Sequence, residues 1–236
     1  MKKLVIFLVE GETDKIALAK TISDNLKPVA KFHVIRTDIT SDMATTVDNV
    51  ESLIAKRIGY FFTENPQYNF EDVLSVIQIT DTDGTYVEGS KVIYDNSNDK
   101  VRYNNDSIST MYVEEIKNRN KRKSSVLNYL STLNTIKYTR EIHFKYRIYF
   151  MSCNMEHVLH DLPNVATAEE KERLAKQFRR EAGKNVNKLR DILFLPSIDC
   201  GESGYDDSWK AIKKGTTSLK RKSNFSHFFR EYIDKN

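Results

Sequence analysis

Two short acidic motifs stand directly after apolar runs of this chain. The first, "VEGETD", follows "LVIFL", and the second, "DTDGT", follows "VLSVIQIT". Carboxylates held side by side repel one another, so such a pair is costly unless a cation, a proton or phosphoryl-transfer chemistry uses it. The two motifs therefore predict a site for a hard divalent cation, which prefers oxygen ligands. The candidate residues are Glu10, Gly11, Asp14, Asp81, Asp83 and Gly84.

A third polar segment, "MSCNMEHVLHD", follows the apolar run "YRIYF". Glu156 is its strongest functional candidate. His157 and His160 lie three residues apart on a predicted helix, where a histidine more often packs or hydrogen-bonds than binds a metal. The further candidates of this segment are Ser152, Asn154 and His160.

The elements that must position these residues alternate along the chain. Apolar runs predict strands at 4–9, "KFHVIRT" and "VLSVIQIT", and apolar residues at helical spacing predict helices after Thr13 and over about 45–62. This strand–helix alternation predicts an α/β fold with a mostly parallel sheet flanked by helices. Ligands of such sheets bind beyond the carboxyl ends of the strands, where all three acidic segments fall.

The rest of the chain is less regular. We expect residues 84–110 to form an inserted loop or two-stranded ribbon, and 109–133 to be helical with a break near "KNRNKRKSS". After the strand "YRIYFMSCN", helices are predicted at about 167–184, 186–194, 205–214 and 223–235. The predicted organisation is a catalytic domain over 1–160 and a helical, basic C-terminal extension over 161–236.

Composition favours a cytoplasmic protein. The chain is 39% hydrophobic and 30% charged, and its apolar runs are shorter than a membrane span needs. The run "KKLVIFLV" therefore reads as a buried strand rather than a signal peptide. Cys153 and Cys200 have no metal-ligand spacing and predict neither a disulfide scaffold nor a zinc site.

Charge is distributed unevenly along the chain. Residues 1–100 carry 11 Lys and Arg against 16 Asp and Glu, whereas residues 101–236 carry 26 against 17. An acidic metal site beside a basic surface that holds phosphates would have this distribution, although two solvated faces would too. The predicted nucleic-acid contacts lie in two basic runs: Lys117, Arg119, Lys121, Arg122, Lys123, Lys213, Lys214, Lys220, Arg221 and Lys222.

The pair of motifs resembles the Toprim domain of topoisomerases, primases and OLD-type nucleases. "VIFLVEGETDK" and, some 70 residues later, "VIQITDTDG" match that family's Glu after the first strand and its Asp-x-Asp after a later strand. The resemblance covers roughly residues 1–160 and is strongest to the stand-alone OLD and RloB-like abortive-infection proteins, which have a segment similar to "MSCNMEHVLHD". It implies Mg²⁺- or Mn²⁺-dependent phosphodiester chemistry, with Glu10 as general base or metal ligand and Asp81 and Asp83 as metal ligands. Some members of the family have a third acid at the position of Thr85, so the number of bound metal ions, one or two, is left open. Glu156 is a candidate to take the place of the missing acid.

Other interpretations of the same residues remain. "DTDGT" also matches the nucleophile motif of haloacid-dehalogenase-type phosphatases, with Asp81 as nucleophile and "GYDDSW" as a later acidic pair. In that family, however, the motif normally ends the first strand. A calcium loop is excluded because Val92 stands where a bidentate Glu is required, and there is no P-loop motif.

The sequence thus predicts a metal-dependent nuclease acting on DNA or RNA, with an anti-phage role that rests on the resemblance. The expected partners are nucleic acid, a protein of a defence operon and a second copy of the chain, with no membrane. A non-catalytic sensor subunit that binds a nucleotide or a partner protein is the alternative from a different class.

Overall fold

The computed structural model describes residues 4–26, 31–36, 39–97, 99–200 and 204–234. Its strands are β1 (Leu4–Val9), β2 (Lys31–Arg36), β3 (Val73–Asp81), β4 (Val92–Tyr94), β5 (Arg102–Tyr103), β6 (Ile108–Thr110), β7 (Thr135–Lys137) and β8 (His143–Met151). Its helices are α1 (Glu12–Leu26), α2 (Val50–Glu64), α3 (Val113–Leu130), α4 (Met155–His160), α5 (Ala168–Lys184), α6 (Lys188–Leu193), α7 (Tyr205–Ile212) and α8 (Ser226–Tyr232).

A five-stranded sheet in the order β2-β1-β3-β8-β7 forms the centre of the molecule. All its neighbouring pairs are parallel except β7 with β8. Every residue of β1 is buried, as expected for a central strand covered on both faces. The predicted α/β fold with a mostly parallel, helix-flanked sheet is therefore confirmed, and the antiparallel edge strand β7 was not predicted.

Residues 84–110 differ from the expected two-stranded ribbon. They contain a small three-stranded sheet in the order β4-β6-β5, in which β4 and β6 are parallel and β5 and β6 antiparallel. Its buried residues Val92 and Ile108 share a second apolar cluster with Ile116 of α3, Cys153 and Leu219. The sheet is thus packed against the domain by its own small core.

Helix α3 runs without interruption through the polar segment where a break was expected. Its buried residues recur every three or four positions, with Val126 and Leu127 adjacent, and form one stripe along the helix. The stripe consists of Ile116, Asn120, Lys123, Val126, Leu127 and Leu130. The segment contains no Gly or Pro, so nothing in its backbone ends the helix, and the prediction of a break was wrong.

The C-terminal helices belong to the same core as the central sheet. Phe228 of α8 packs edge-on against Phe7 of β1, with ring centroids 5.3 Å apart, and Trp209 of α7 lies 5.0 Å from Phe150 of β8. The four predicted C-terminal helices are confirmed within a few residues at each end. The helices therefore complete the core on which the strands depend, while a domain boundary at residue 160 stays a prediction.

Within the part of the chain that the structure describes, no helix has both the length and the apolar character needed to cross a membrane.

Gly84, in the turn after β3, is expected to resist substitution more than Gly215. Both have a positive φ, +64° and +54°, which is unfavourable for a residue with a Cβ. A Cβ at Gly84 would also lie 2.7 Å from Leu219 Cδ2 and 3.0 Å from Ile108 Cδ1, whereas nothing lies within 4 Å of one at Gly215.

Gly215→Ala should thus cost about 1–2 kcal/mol and Gly84→Ala about 2–4 kcal/mol in free energy of unfolding, measured by urea denaturation. Equal losses would mean that Leu219 and Ile108 move aside without cost.

Candidate metal-binding acidic site

The acidic motifs meet at the carboxyl ends of β1 and β3. These neighbouring parallel strands pair Val9 with Ile79, so Glu10, one residue beyond β1, lies beside Thr80. From β1 the chain continues to β2 on one side of β1 and then crosses to β3 on the other side. The gap between β1 and β3 is therefore the point where the strand order reverses. Open α/β sheets bind ligands at such a point.

Glu10 is held by two threonine hydroxyls. Thr40 and Thr80 each donate a hydrogen bond to Oε1 of Glu10, and their own oxygens lie 3.1 Å apart. The Glu10 side chain is 11% exposed. Burial raises its pKa above the ordinary value, although the nearby Lys123 and the two hydroxyls oppose the shift. Since Oε1 is engaged by both threonines, Oε2 is the oxygen with room for a further ligand or proton.

Lys123 of α3 lies inside the cluster, completely buried. Its Nζ is 2.6 Å from Asp83 Oδ2, 3.4 Å from each carboxylate oxygen of Glu10 and 3.0 Å from Ser41 Oγ. Burial lowers the pKa of Lys123, but the charges of Asp83 and Glu10 outweigh it and raise the pKa overall. The assignment of Lys123 to a nucleic-acid-binding surface was therefore wrong, because its ammonium faces the carboxylates inside the molecule.

Asp83 adopts a left-handed backbone conformation, with φ of 49°. This turn presents its carboxylate to two partners: Oδ2 to Lys123 and Oδ1 to the Tyr103 hydroxyl, 3.2 Å away. The Arg119 guanidinium donates to the backbone carbonyl of Asp83 over 2.8 Å. Burial raises the pKa of Asp83, but the charges of Lys123 and Arg119 lower it overall. Asp83 is thus the carboxylate held most firmly in its ionised form.

Asp81 and Asp14 carry the uncompensated charge of the cluster. Burial, followed by the charges of Asp14, Glu10 and Asp83, raises the pKa of Asp81 well above its usual range. Burial also raises the pKa of Asp14 to about 7, against a 2.8 Å hydrogen bond from the Gly11 N–H to Asp14 Oδ2. Among the described residues, no Lys or Arg forms an ion pair with either carboxylate. A divalent cation would relieve this excess of negative charge.

We expect the metal-free protein to lose stability as the pH rises from about 4 to about 7. The folded state binds a proton on Asp14 more tightly than the unfolded chain does, so this contribution is complete below the unfolded pKa of 3.8 and is lost as the pH passes about 7. The loss from Asp14 is on the order of 2–4 kcal/mol.

Thermal melting in EDTA at a series of pH values measures this loss. Asp14→Asn should raise the melting temperature at about pH 8 and flatten the profile, whereas the control Asp48→Asn, at an exposed position, should not. An unchanged profile in Asp14→Asn would contradict the assignment.

Glu156 lies at the edge of the cluster rather than in its centre. It lies in the first turn of α4, is 6% exposed, and its Oε2 is 3.6 Å from Lys171 Nζ. Its charge nevertheless contributes to the raised pKa of Asp14. Asn154 accepts a hydrogen bond from the His157 N–H over 2.9 Å and so caps the helix that presents Glu156.

The other candidate residues of that segment are engaged in contacts with the rest of the protein. The Ser152 hydroxyl donates to the Ser218 carbonyl over 3.0 Å. The His160 ring packs edge-on against Phe178, and burial lowers its pKa. Burial lowers the pKa of His157 as well. Both histidines therefore favour the neutral form, and no described hydrogen bond or ion pair joins them to Glu10, Asp81 or Asp83.

Much of the two basic runs is engaged within the protein. Arg122 donates to the Ser41 carbonyl, Arg221 donates to the Val158 carbonyl, and Lys117 pairs with Glu114. Arg119 supports Asp83, as described above. The exposed members are Lys121, Lys213, Lys214 and Lys220. A nucleic-acid surface built from these runs is therefore smaller than the sequence predicted.

A groove of about 350 Å³ beside the acids offers basic side chains that the sequence did not single out. Lys100, Arg102 and Lys171 line it together with Tyr103 and Asn154. Tyr103 hydrogen-bonds Asp83, and Lys171 contacts Glu156, so the groove adjoins the acid cluster.

No group of three or more His, Cys, Asp and Glu side chains among the described residues is already arranged to hold a metal ion. The reason is visible in the cluster, because Glu10 and Asp83 converge on the ammonium of Lys123. The donor chemistry still fits Mg²⁺ or Mn²⁺, since these ions take carboxylate oxygens and Asp81 has no ion pair with a described Lys or Arg. Asp81 and Glu10 are thus the residues best placed to hold one.

Comparisons with known proteins name no relative. No protein-family model matches the chain, and neither a curated protein nor a solved structure matches it significantly. The Toprim resemblance consequently stays a prediction from the motifs, and the argument for function rests on the geometry of the site.

Proposed function

We propose that this chain is a metal-dependent phosphodiesterase that cleaves nucleic acid. The observation that carries the proposal is the convergence of Glu10, Asp81 and Asp83 at the reversal point of the sheet, with more negative charge than Lys123 and Arg119 balance. Crowded carboxylates of this kind are costly to the fold, which favours a functional over a structural role. The groove lined by Lys100, Arg102 and Lys171 supplies the positive charge that a phosphate chain needs.

Each residue of the site has a part in this chemistry. Thr40 and Thr80 fix Oε1 of Glu10, which leaves Oε2 either to accept a proton from an attacking water or to bind the cation. Lys123 keeps Glu10 and Asp83 in place and offsets part of their negative charge. A divalent cation held by Asp81 and Glu10 would polarise the phosphate and lower the pKa of a bound water.

Two features favour a phosphodiesterase over the phosphatase interpretation. Glu10 has a defined place in the site, and the later acidic pair expected at Asp206 and Asp207 lies exposed on α7. Asp207 pairs with Lys210 over 2.8 Å, and no described hydrogen bond or ion pair joins either aspartate to Asp81.

An anti-phage role of the OLD and RloB-like kind, with a partner protein from a defence operon, is proposed from the resemblance alone. The cytoplasmic location is proposed from the composition and the short apolar runs, and assembly with a second copy of the chain from the need of a nuclease of this size to cut both strands.

The proposal is tested by offering the protein plasmid DNA, single-stranded DNA, total RNA and tRNA with Mg²⁺, with Mn²⁺ and with EDTA. We expect at least one substrate to be cut with either ion and none with EDTA. A generic phosphomonoester serves as the comparison. Its hydrolysis, with every nucleic acid left intact, would favour the phosphatase, and no reaction in any sample would favour the sensor subunit.

A further inference from the structure

Lys123 divides the acid cluster into two unlike parts. On one side, Glu10 and Asp83 both contact its ammonium. The Arg119 guanidinium, which donates a hydrogen bond to the Asp83 carbonyl, is a second positive charge on this side. On the other side, Asp81 and Asp14 have no ion pair with a described Lys or Arg. The charge is therefore nearly balanced around Asp83 and unbalanced around Asp81.

The ammonium lies between Glu10 and Asp83, in the space that an ion bridging both carboxylates would have to occupy. Lys123 Nζ lies 2.6 Å from Asp83 Oδ2 and 3.4 Å from both oxygens of Glu10. In two-metal sites the ions lie about 3.5–4 Å apart and are bridged by shared ligands. An ion bound to Asp83 Oδ2 at the usual distance of about 2.0–2.2 Å would lie within about 5 Å of the ammonium, and the two like charges would repel.

Lys123 is also unable to leave this position easily. Its side chain is completely buried on the inward stripe of α3, between Asn120 and Val126, and Ser41 Oγ accepts a further hydrogen bond from Nζ over 3.0 Å. Moving it to solvent would leave Asp83 and Glu10 facing each other without a cation. The lysine is thus part of the permanent architecture of the site.

We propose that this site binds a single divalent cation, beside Asp81, and that the ammonium of Lys123 takes the place of a second one between Glu10 and Asp83. The inference rests on the proposed function, since it concerns the same site. It assigns Lys123 a positioning role and resolves the choice between one and two metal ions, which the motifs left open.

The test counts Mn²⁺ ions bound to the wild-type chain. Metal-free protein is titrated with Mn²⁺ by calorimetry, and the saturated sample is measured by electron paramagnetic resonance. We expect one ion per chain with the signal of an isolated Mn²⁺. Two ions per chain with the signal of an exchange-coupled pair, or no bound ion, would overturn the inference. This count does not depend on any variant folding.

Two variants on the same helix test the part played by Lys123. Lys123→Met should open the second position and bring the count to two, whereas Lys123→Arg, which keeps the charge, and the exposed control Lys121→Met should each bind one. A count of one in a folded Lys123→Met protein would mean that the lysine does not limit the stoichiometry. If Lys123→Met fails to fold, the number of Mn²⁺ ions bound per wild-type chain decides the inference.

The count and the function can fail separately. Two bound ions together with nucleic-acid cleavage would overturn the single-ion inference and leave the nuclease proposal intact. One bound ion with no cleavage of any substrate would support the inference and count against the nuclease.

Discussion

Replacing Glu10 by Gln is expected to slow nucleic-acid cleavage by about 10²–10⁴-fold, the range typical of losing a general base. Gln keeps the shape of the side chain, and its amide oxygen can still accept the hydrogen bonds from Thr40 and Thr80. What it loses is the negative charge and the ability of Oε2 to take a proton or a cation. The fold should therefore survive while the chemistry does not.

Single-turnover rates with saturating Mg²⁺ measure this effect. Glu12→Gln is the matched control, because Glu12 lies two residues away and is exposed at the start of α1. It should cleave at the wild-type rate. Comparable cleavage rates for the wild type and Glu10→Gln would show that Glu10 takes no part in the reaction.

Replacing Lys123 by Met is expected to lower the free energy of unfolding by about 3–5 kcal/mol, as when one partner of a buried ion pair is removed. The Asp83 and Glu10 side chains, 21% and 11% exposed, would lose the ammonium that both contact. Met fills the same space as far as Cε and has no atom at the position of Nζ, so the loss would come mainly from electrostatics rather than from a large cavity.

Urea denaturation of the metal-free protein tests this expectation. Lys121→Met, on the exposed side of the same helix, should change stability by no more than about 0.5 kcal/mol. Adding Asp83→Asn to Lys123→Met should restore part of the lost stability, because it removes one of the unpaired charges. Equal stability of Lys123→Met and the wild type would contradict the claim that the Lys123 ammonium stabilises Glu10 and Asp83 in the folded protein.

The sequence allowed the sheet and its strand-end acids to be predicted because both depend on local patterns. Unbroken apolar runs identify buried strands, and acids that follow them must lie at the edge where parallel strands end. These patterns therefore predict that Glu10 and Asp81 lie together. The central sheet brings their strands side by side, as predicted.

The residues that complete the site were missed because they come from distant parts of the chain. Thr40 lies 30 residues from Glu10, and Lys123 lies 113 residues from it. Lys123 stands in a polar run that reads as solvent-exposed, yet it falls three residues after Asn120 and three before Val126, on the buried stripe of α3. Helical periodicity carried through the run would have placed this lysine on the inner face.

The most direct test of the account measures cleavage and thermal stability in one Asp81→Asn sample. Burial and three neighbouring carboxylates raise the pKa of Asp81, so removing its charge should raise the melting temperature of the metal-free protein at about pH 8. The same change removes a proposed ligand of the cation and should abolish Mg²⁺-dependent cleavage. A more stable protein that no longer cuts would show that the acids are kept for chemistry at a cost to the fold. An Asp81→Asn protein that cuts at the wild-type rate would contradict the account.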